Sequence, residues 1–221
     1  MLDGDEHPST SAPEGPRMST DSPVPAALRA ARALEDSPAL DPAVDRVRPW
    51  VAHLLERRPR FAALLHGRPL GHALHPLMTD APLGLWMSAT TLDLLGGEPA
   101  RPHADRLLGL GVAAALPTSL TGLADWAVSG RRTQRVGAAH AVLNSAALAL
   151  YTTSWVLRRR GARGAGVTAS LAATGLVGAS GYLGGHMTSR LGAPPRRHSG
   201  PATTRATPDS DETDLPGGTP A

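Results

Sequence analysis

The sequence predicts an all-α protein: an integral membrane four-helix bundle with an N-terminal amphipathic helical arm. Three observations predict it. Four apolar runs each approach the roughly 20 residues that a helix needs to cross a hydrocarbon core of about 30 Å. Arginines gather in knots between those runs, the pattern of membrane-flanking charge. Aromatic residues are only 3% of the chain, and the runs are filled with Ala, Leu, Gly and Val. That composition would underfill a water-soluble core but suits helices packed closely in lipid.

Chain averages conceal this. A mean hydropathy of -0.15 and 41% hydrophobic residues mix two kinds of segment. Residues 1–25 and 192–221 are rich in Pro, Ser, Thr, Gly and Asp, and cannot bury enough apolar surface to offset chain entropy, so both are expected to be disordered. The polar start lacks the charged opening and apolar run of a signal peptide, which leaves the first span to act as the insertion signal. Residues 26–70 form the arm. Within it, residues 26–34 and 43–55 alternate apolar and charged positions at helical spacing, Asp41-Pro42 is a good helix start, and residues 61–65 continue the apolar face. Such helices lie on a membrane surface or cap the bundle.

The transmembrane domain is residues 71–191. Its first span, 77–95, carries Asp80 and Asp93 near its ends and stops at Gly96-Gly97 and Pro99. The second, 107–128, contains Pro117, which neighbouring Ser or Thr hydroxyls make tolerable in a membrane helix. The third, 136–157, is bounded by Arg131, Arg132 and Arg135 before it and by Arg158, Arg159 and Arg160 after it. The fourth, 167–187, ends near Arg190 and Pro194-Pro195. None shows the charged stripe of a surface helix. Arginine counts orient the bundle. Arg57, Arg58, Arg60, Arg68, Arg131, Arg132, Arg135, Arg190, Arg196 and Arg197 lie on the N-terminal side, against Arg101, Arg106, Arg158, Arg159, Arg160 and Arg163 on the other. The expectation is a multi-pass protein of a bacterial inner (cytoplasmic) membrane with both termini in the cytoplasm. Gly181 and Gly185 form GxxxG, and Gly137, Ala141 and Ser145 a similar ridge, both suited to close packing or to homo-oligomer contact.

The chain has no cysteine, which excludes disulfides, thiolate metal sites, a self-contained iron–sulfur cluster and a Cys nucleophile. A pI near 10.4 does not signal nucleic acid here, because the arginines bracket apolar runs. Ser–His–Asp arrangements, phosphate-cradling loops and HExxH motifs are not visible, so no catalytic residue is assigned and the chain is not expected to be an enzyme on its own.

Alternating helix direction brings the start of span one, the end of two, the start of three and the end of four to one side. His72 and His75 precede span one, Asp80 lies in its first turns, Asp125 and Trp126 end span two, and His186 ends span four. His140 and Asn144 are one helical turn apart on span three; His140 is about five residues, roughly 7 Å, beyond Arg135. Three readings stand. The cluster binds a redox cofactor, foremost haem b with His140 and either His75 or His186 as axial ligands. Alternatively it binds a divalent metal with Asp80 and Asp125 among the ligands, or lines a proton path or quinone pocket. In the third reading, that of a non-enzymatic structural or partner-binding protein, the polar groups only fix helix packing. His53, His66 and His103 are set aside as arm or loop residues, His7 and His198 as residues of the tails, and Asp93 as a cap at the opposite face.

Residues 65–86 (LHGRPLGHALHPLMTDAPLGLW), 116–126 (LPTSLTGLADW), 135–144 (RVGAAHAVLN) and 181–187 (GYLGGHM) resemble the membrane family named domain of unknown function 2231. Its members carry a GHPLHP run, a TGLxDW end to span two, an HxxxN in span three and a GG-H-[LM] end to span four. The match places His72, His75, Asp125, His140, Asn144 and His186 on the motifs. Ala73 departs from the usual Pro. Some members are fused to a Rieske-type [2Fe–2S] domain; lacking cysteine, this chain would need a separate redox protein as partner.

Overall fold

The structure, a computed structural model, describes residues 24–194. The two tails expected to be disordered lie almost wholly outside the described residues. Seven α-helices follow in order: α1 Ala26–Glu35, α2 Asp41–Arg57, α3 Pro59–Leu65, α4 Leu74–Leu95, α5 Gly97–Ala127, α6 Arg131–Arg159 and α7 Arg163–Arg190. The last four coincide with the four predicted apolar runs and all begin earlier; α6 and α7 also run on past them, whereas α4 ends with its run at Leu95 and α5 stops at Ala127, one residue short.

Pro42 and Pro59 stand in the first turns of α2 and α3, where no intrahelical donor is needed. Gly67 has φ +66°, and a Cβ there would strike the carbonyl oxygen of His72, so the bend into α4 requires glycine twice over. The reversal between α4 and α5 is tighter than the sequence suggests. Gly96 alone separates the two helices, Gly97 takes φ +63°, and Pro99 sits in the first turn of α5. Residues 97–106, read as a polar loop around His103, are therefore helical. Pro99 did not prevent this, because the first turn of a helix has spare donors, and the helix also continues through Pro102 in its second turn. At Pro117 the helix continues as expected, with the hydroxyls of Thr118 and Ser119 donating to the carbonyls of Ala114 and Ala115 at 2.9 and 2.8 Å.

Helices α4 and α5 pack as one antiparallel hairpin and α6 and α7 as another. The two meet at a core of Trp86, Ala89, Leu108, Ala115, Ala147, Tyr151 and Ala173. Trp86 and Tyr151 stack with centroids 4.1 Å apart. Glycines make room for these rings: a Cβ on Gly111 would collide with Trp86, and one on Gly109 with Trp155. Gly137 likewise receives Trp126, whereas Gly181 and Gly185 face open space. The GxxxG pair is thus not a helix-packing ridge within this chain.

Of the two settings expected for the arm, the contacts show the cap. Helix α1 rests on α6 and α7, α2 on α5 and α6, and α3 on α5; Ala31 is fully buried with Val136 and Leu183. Arg135 grips the carboxylate of Asp41 with two bonds of 2.8 and 2.7 Å, and Arg131 reaches Asp45 at 2.7 Å. Arg48 donates to the carbonyl of Ala127 at 3.2 Å. With Arg132, which lies 3.4 Å from Asp36, three arginines counted as membrane-flanking are therefore spent on the arm. Among the described residues, Gly97–Ala127 is the one helix long and apolar enough to cross a membrane by composition; the Ser, Thr and Gly content and terminal charges of the others dilute theirs.

Candidate functional site

His75 lies in the first turn of α4 and its ring is pressed against α5. Nδ1 lies 3.0 Å from the carbonyl oxygen of Thr118 and 3.3 Å from the Thr121 hydroxyl. A carbonyl only accepts, so Nδ1 carries a proton, which in the neutral ring leaves the lone pair on Nε2. The ring fits because residue 122 is glycine: a Cβ there would stand 2.7 Å from His75 Cε1.

His140 repeats this arrangement in the second hairpin. Its Nδ1 donates to the carbonyl of Ser180 at 2.9 Å, and its ring edge faces Gly184. Its Nε2 accepts from the Asn144 amide at 2.9 Å, whereas Nε2 of His75 has no hydrogen-bond partner among the described residues.

The repetition extends through both hairpins at constant spacing. Along α4 and α6 the equivalent residues are His75 and His140, Pro82 and Ala147, Trp86 and Tyr151, Ala89 and Ser154, and Asp93 and Arg158. Each pair beyond the histidines faces the buried interior. Along α5 and α7, Ala104, Leu108, Gly111, Thr118, Thr121 and Ala124 match Gly166, Ser170, Ala173, Ser180, Leu183 and His186, all twelve buried. The Trp86–Tyr151 stack and the Asp93–Arg158 pair join equivalent positions. Histidine is the one titratable residue that α4 and α6 share at an equivalent position.

A family model described as a predicted membrane protein, domain of unknown function 2231 (DUF2231), matches residues 71–194. The chain belongs to the DUF2231 family. That match spans α4 to α7 and leaves the arm outside the DUF2231 domain. No curated protein and no solved structure matches the chain.

The other DUF2231 motif residues are placed differently from the single cluster expected. His186 is buried and bonds Glu35 of the arm, Nε2 to Oε1 at 2.6 Å. Asp125 bonds His66 of the arm at 2.8 Å, and its second oxygen is buried without a partner. The ends of α5 and α7 thus each receive one acid–imidazole pair from the arm, with the acid on opposite sides in the two. His72 and Asp80 are exposed. Among the described residues, no group of three or more His, Asp or Glu side chains is gathered for a metal ion. The geometry therefore divides the expected cluster into two imidazoles, one in each hairpin, and two arm contacts.

Glu35 has no place in the sequence reading and His66 only that of an arm residue, since their partners are far along the chain. The matched flanks of His75 and His140, each followed by a Thr or Ser and a Gly four residues later on the next helix, were the signal that could have revealed the pair. Asp93 was taken for a helix cap and is instead buried. At the end opposite the imidazoles, Arg158 bonds Asp93 at 2.7 Å and Asp105 at 3.1 Å, and Arg163 bonds the same two carboxylates at 2.6 and 2.8 Å. Ser154 and Ser170 supply the remaining contacts of Arg158 at 3.1 and 2.9 Å.

Proposed function

We propose that this DUF2231 protein is a four-span bacterial inner-membrane bundle and that His75 and His140 are a bis-imidazole site for a b-type haem, making it an electron-transfer component. The observation that carries this reading is the repetition: two hairpins that differ at most polar positions keep the same imidazole, in the same tautomer, over the same glycine. A hydrogen bond from Nδ1–H to a backbone carbonyl orients an imidazole and raises the basicity of Nε2, the usual setting of a ligating histidine. Two neutral imidazoles suit haem iron, which needs two axial ligands, better than a bare divalent ion, which needs more donors than this pair offers.

Haem held there would supply one-electron chemistry. The chain's own part is to hold both rings against Thr118 and Ser180, to exclude water with the Trp86–Tyr151 layer, and to turn the Asn144 amide off His140 when the site is filled. With no cysteine in the chain, electrons would come from a separate redox protein. Both termini are assigned to the cytoplasm, on the arginine asymmetry.

The test is the oxidised and dithionite-reduced absorption spectrum of the protein purified in detergent. A Soret band with sharpened reduced bands is expected, lost in His140→Ala and His75→Ala. A colourless wild type that stays colourless after incubation with hemin overturns the haem site. A second reading has its own observation: His140 is already satisfied at both nitrogens, and His66 and His186 are paired. There the polar groups fix the packing of a partner-binding membrane protein, and His140→Ala lowers stability in a colourless protein.

A further inference from the structure

The arm has a second face that the bundle does not use. Val44 and Val51 of α2 are buried toward the bundle, but Val47, Trp50 and Leu54 form an adjacent stripe that is exposed, Trp50 by 65%. Phe61 and Leu64 of α3 extend the exposed apolar surface, Leu64 by 53%. Arginines surround it. Arg46, Arg57, Arg58, Arg60 and Arg68 are all exposed and none forms an ion pair among the described residues, in contrast to Arg131 and Arg135, which the arm's carboxylates hold. Between residues 46 and 72 the single acidic residue is Glu56.

We infer that this face seats on anionic phospholipid in the leaflet beside the imidazole end of the bundle. An aromatic and aliphatic stripe bordered by arginine is the composition of a helix lying in a membrane interface: the apolar side chains enter the headgroup–acyl boundary and the cations meet lipid phosphates. Charge complementarity selects this occupant. A second copy of the chain would set one arginine-rich surface against another, with Glu56 as the sole acid to answer it. The face also continues from the membrane domain itself, since Leu70 and Leu77, at the entry to α4, are exposed. The arm thereby has two partners: the bundle through its carboxylates, and the leaflet through its arginines.

The native chain lacks cysteine, so Leu54→Cys gives a unique labelling position on the full-length protein. The label is a fluorophore read in nanodiscs of phosphatidylcholine alone and of phosphatidylcholine with phosphatidylglycerol. Quenching by a spin-labelled lipid is compared with quenching by aqueous iodide. In the anionic discs lipid quenching is expected to dominate. Removing phosphatidylglycerol, or making the variant Arg57→Gln/Arg58→Gln/Arg60→Gln/Arg68→Gln, is expected to shift the ratio toward iodide by at least about fivefold, the factor one arginine contributes beside an anionic leaflet. The change of lipid needs no mutation and so cannot be confused with misfolding. Dominant iodide quenching in anionic discs overturns the inference, and so does shielding that is independent of lipid and rises with protein concentration in detergent, which would assign the face to another protein chain.

Discussion

Arg158 offers the sharpest test of how the bundle is held together. Its side chain is fully buried, and it meets Asp93, Asp105, Ser154 and Ser170 at once. Arg158→Met removes these bonds but leaves Asp93, itself 2% exposed, with Arg163 at 2.6 Å. Breaking a buried pair by removing one partner costs about 3–5 kcal/mol. Because Arg163 still neutralises Asp93, the loss belongs at the lower limit, about 3 kcal/mol. Asp93→Leu strands Arg158 with a partly exposed Asp105 that it must share with Arg163, and should cost about 3–5 kcal/mol. The double variant removes both charges and keeps the Arg163–Asp105 pair at 2.8 Å. It should therefore be within about 1 kcal/mol of the Asp93→Leu single variant rather than a further 3 kcal/mol worse, a coupling of about 2–3 kcal/mol between the two sites. Reversible unfolding in mixed micelles, followed by helical circular dichroism, measures all three. Losses that simply add would refute the view that the charges act as one buried unit.

Gly122→Ala places a Cβ 2.7 Å from the His75 ring and should cost about 1–3 kcal/mol by overpacking, whereas Gly181→Ala, in open space, should be neutral or stabilising by up to about 1 kcal/mol through helix propensity; thermal unfolding in micelles separates them. The Arg135 guanidinium bonded to Asp41 holds that carboxyl below its ordinary 3.8. A depressed carboxyl contributes stability above its unfolded value and loses it as pH falls through the folded one. The difference in arm protection between wild type and Asp41→Asn, read by limited proteolysis with an acid-active protease, should be constant from neutral pH to near 4 and then vanish on further acidification. Glu35→Ala leaves the buried His186 ring without its partner, a loss of about 1–3 kcal/mol, and should speed tryptic cleavage at Arg57 and Arg60 without changing the helix content of α4 to α7.

Much of the helical order was legible because its signals are local. Pro42 at a helix start, Gly96-Gly97 at a reversal and the arginine knots at the run ends each act within a few residues of where they stand. The site was less legible because its geometry depends on helix rotation, which four helices rich in Ala and Leu leave poorly specified in the sequence. Topology groups His75 and His140 with His72 and Asp80, yet the last two are exposed. Glu35 and His186 lie 151 residues apart, and nothing in either neighbourhood announces the other. The internal repeat was hidden for a different reason. Equivalent buried positions conserve burial while exchanging chemistry, Trp for Tyr and Asp for Arg, so residue identity does not reveal it.

That exchange of Asp for Arg governs which halves can associate. Both carboxylates of the quartet, Asp93 and Asp105, belong to the first hairpin, and both guanidinium groups, Arg158 and Arg163, to the second. Two first hairpins would bring four acids together with no cation, and two second hairpins the reverse. A chain severed in the turn before Gly130 and expressed as two pieces would therefore reassemble only as one of each, and mispaired products would carry uncompensated charge at that end of the bundle.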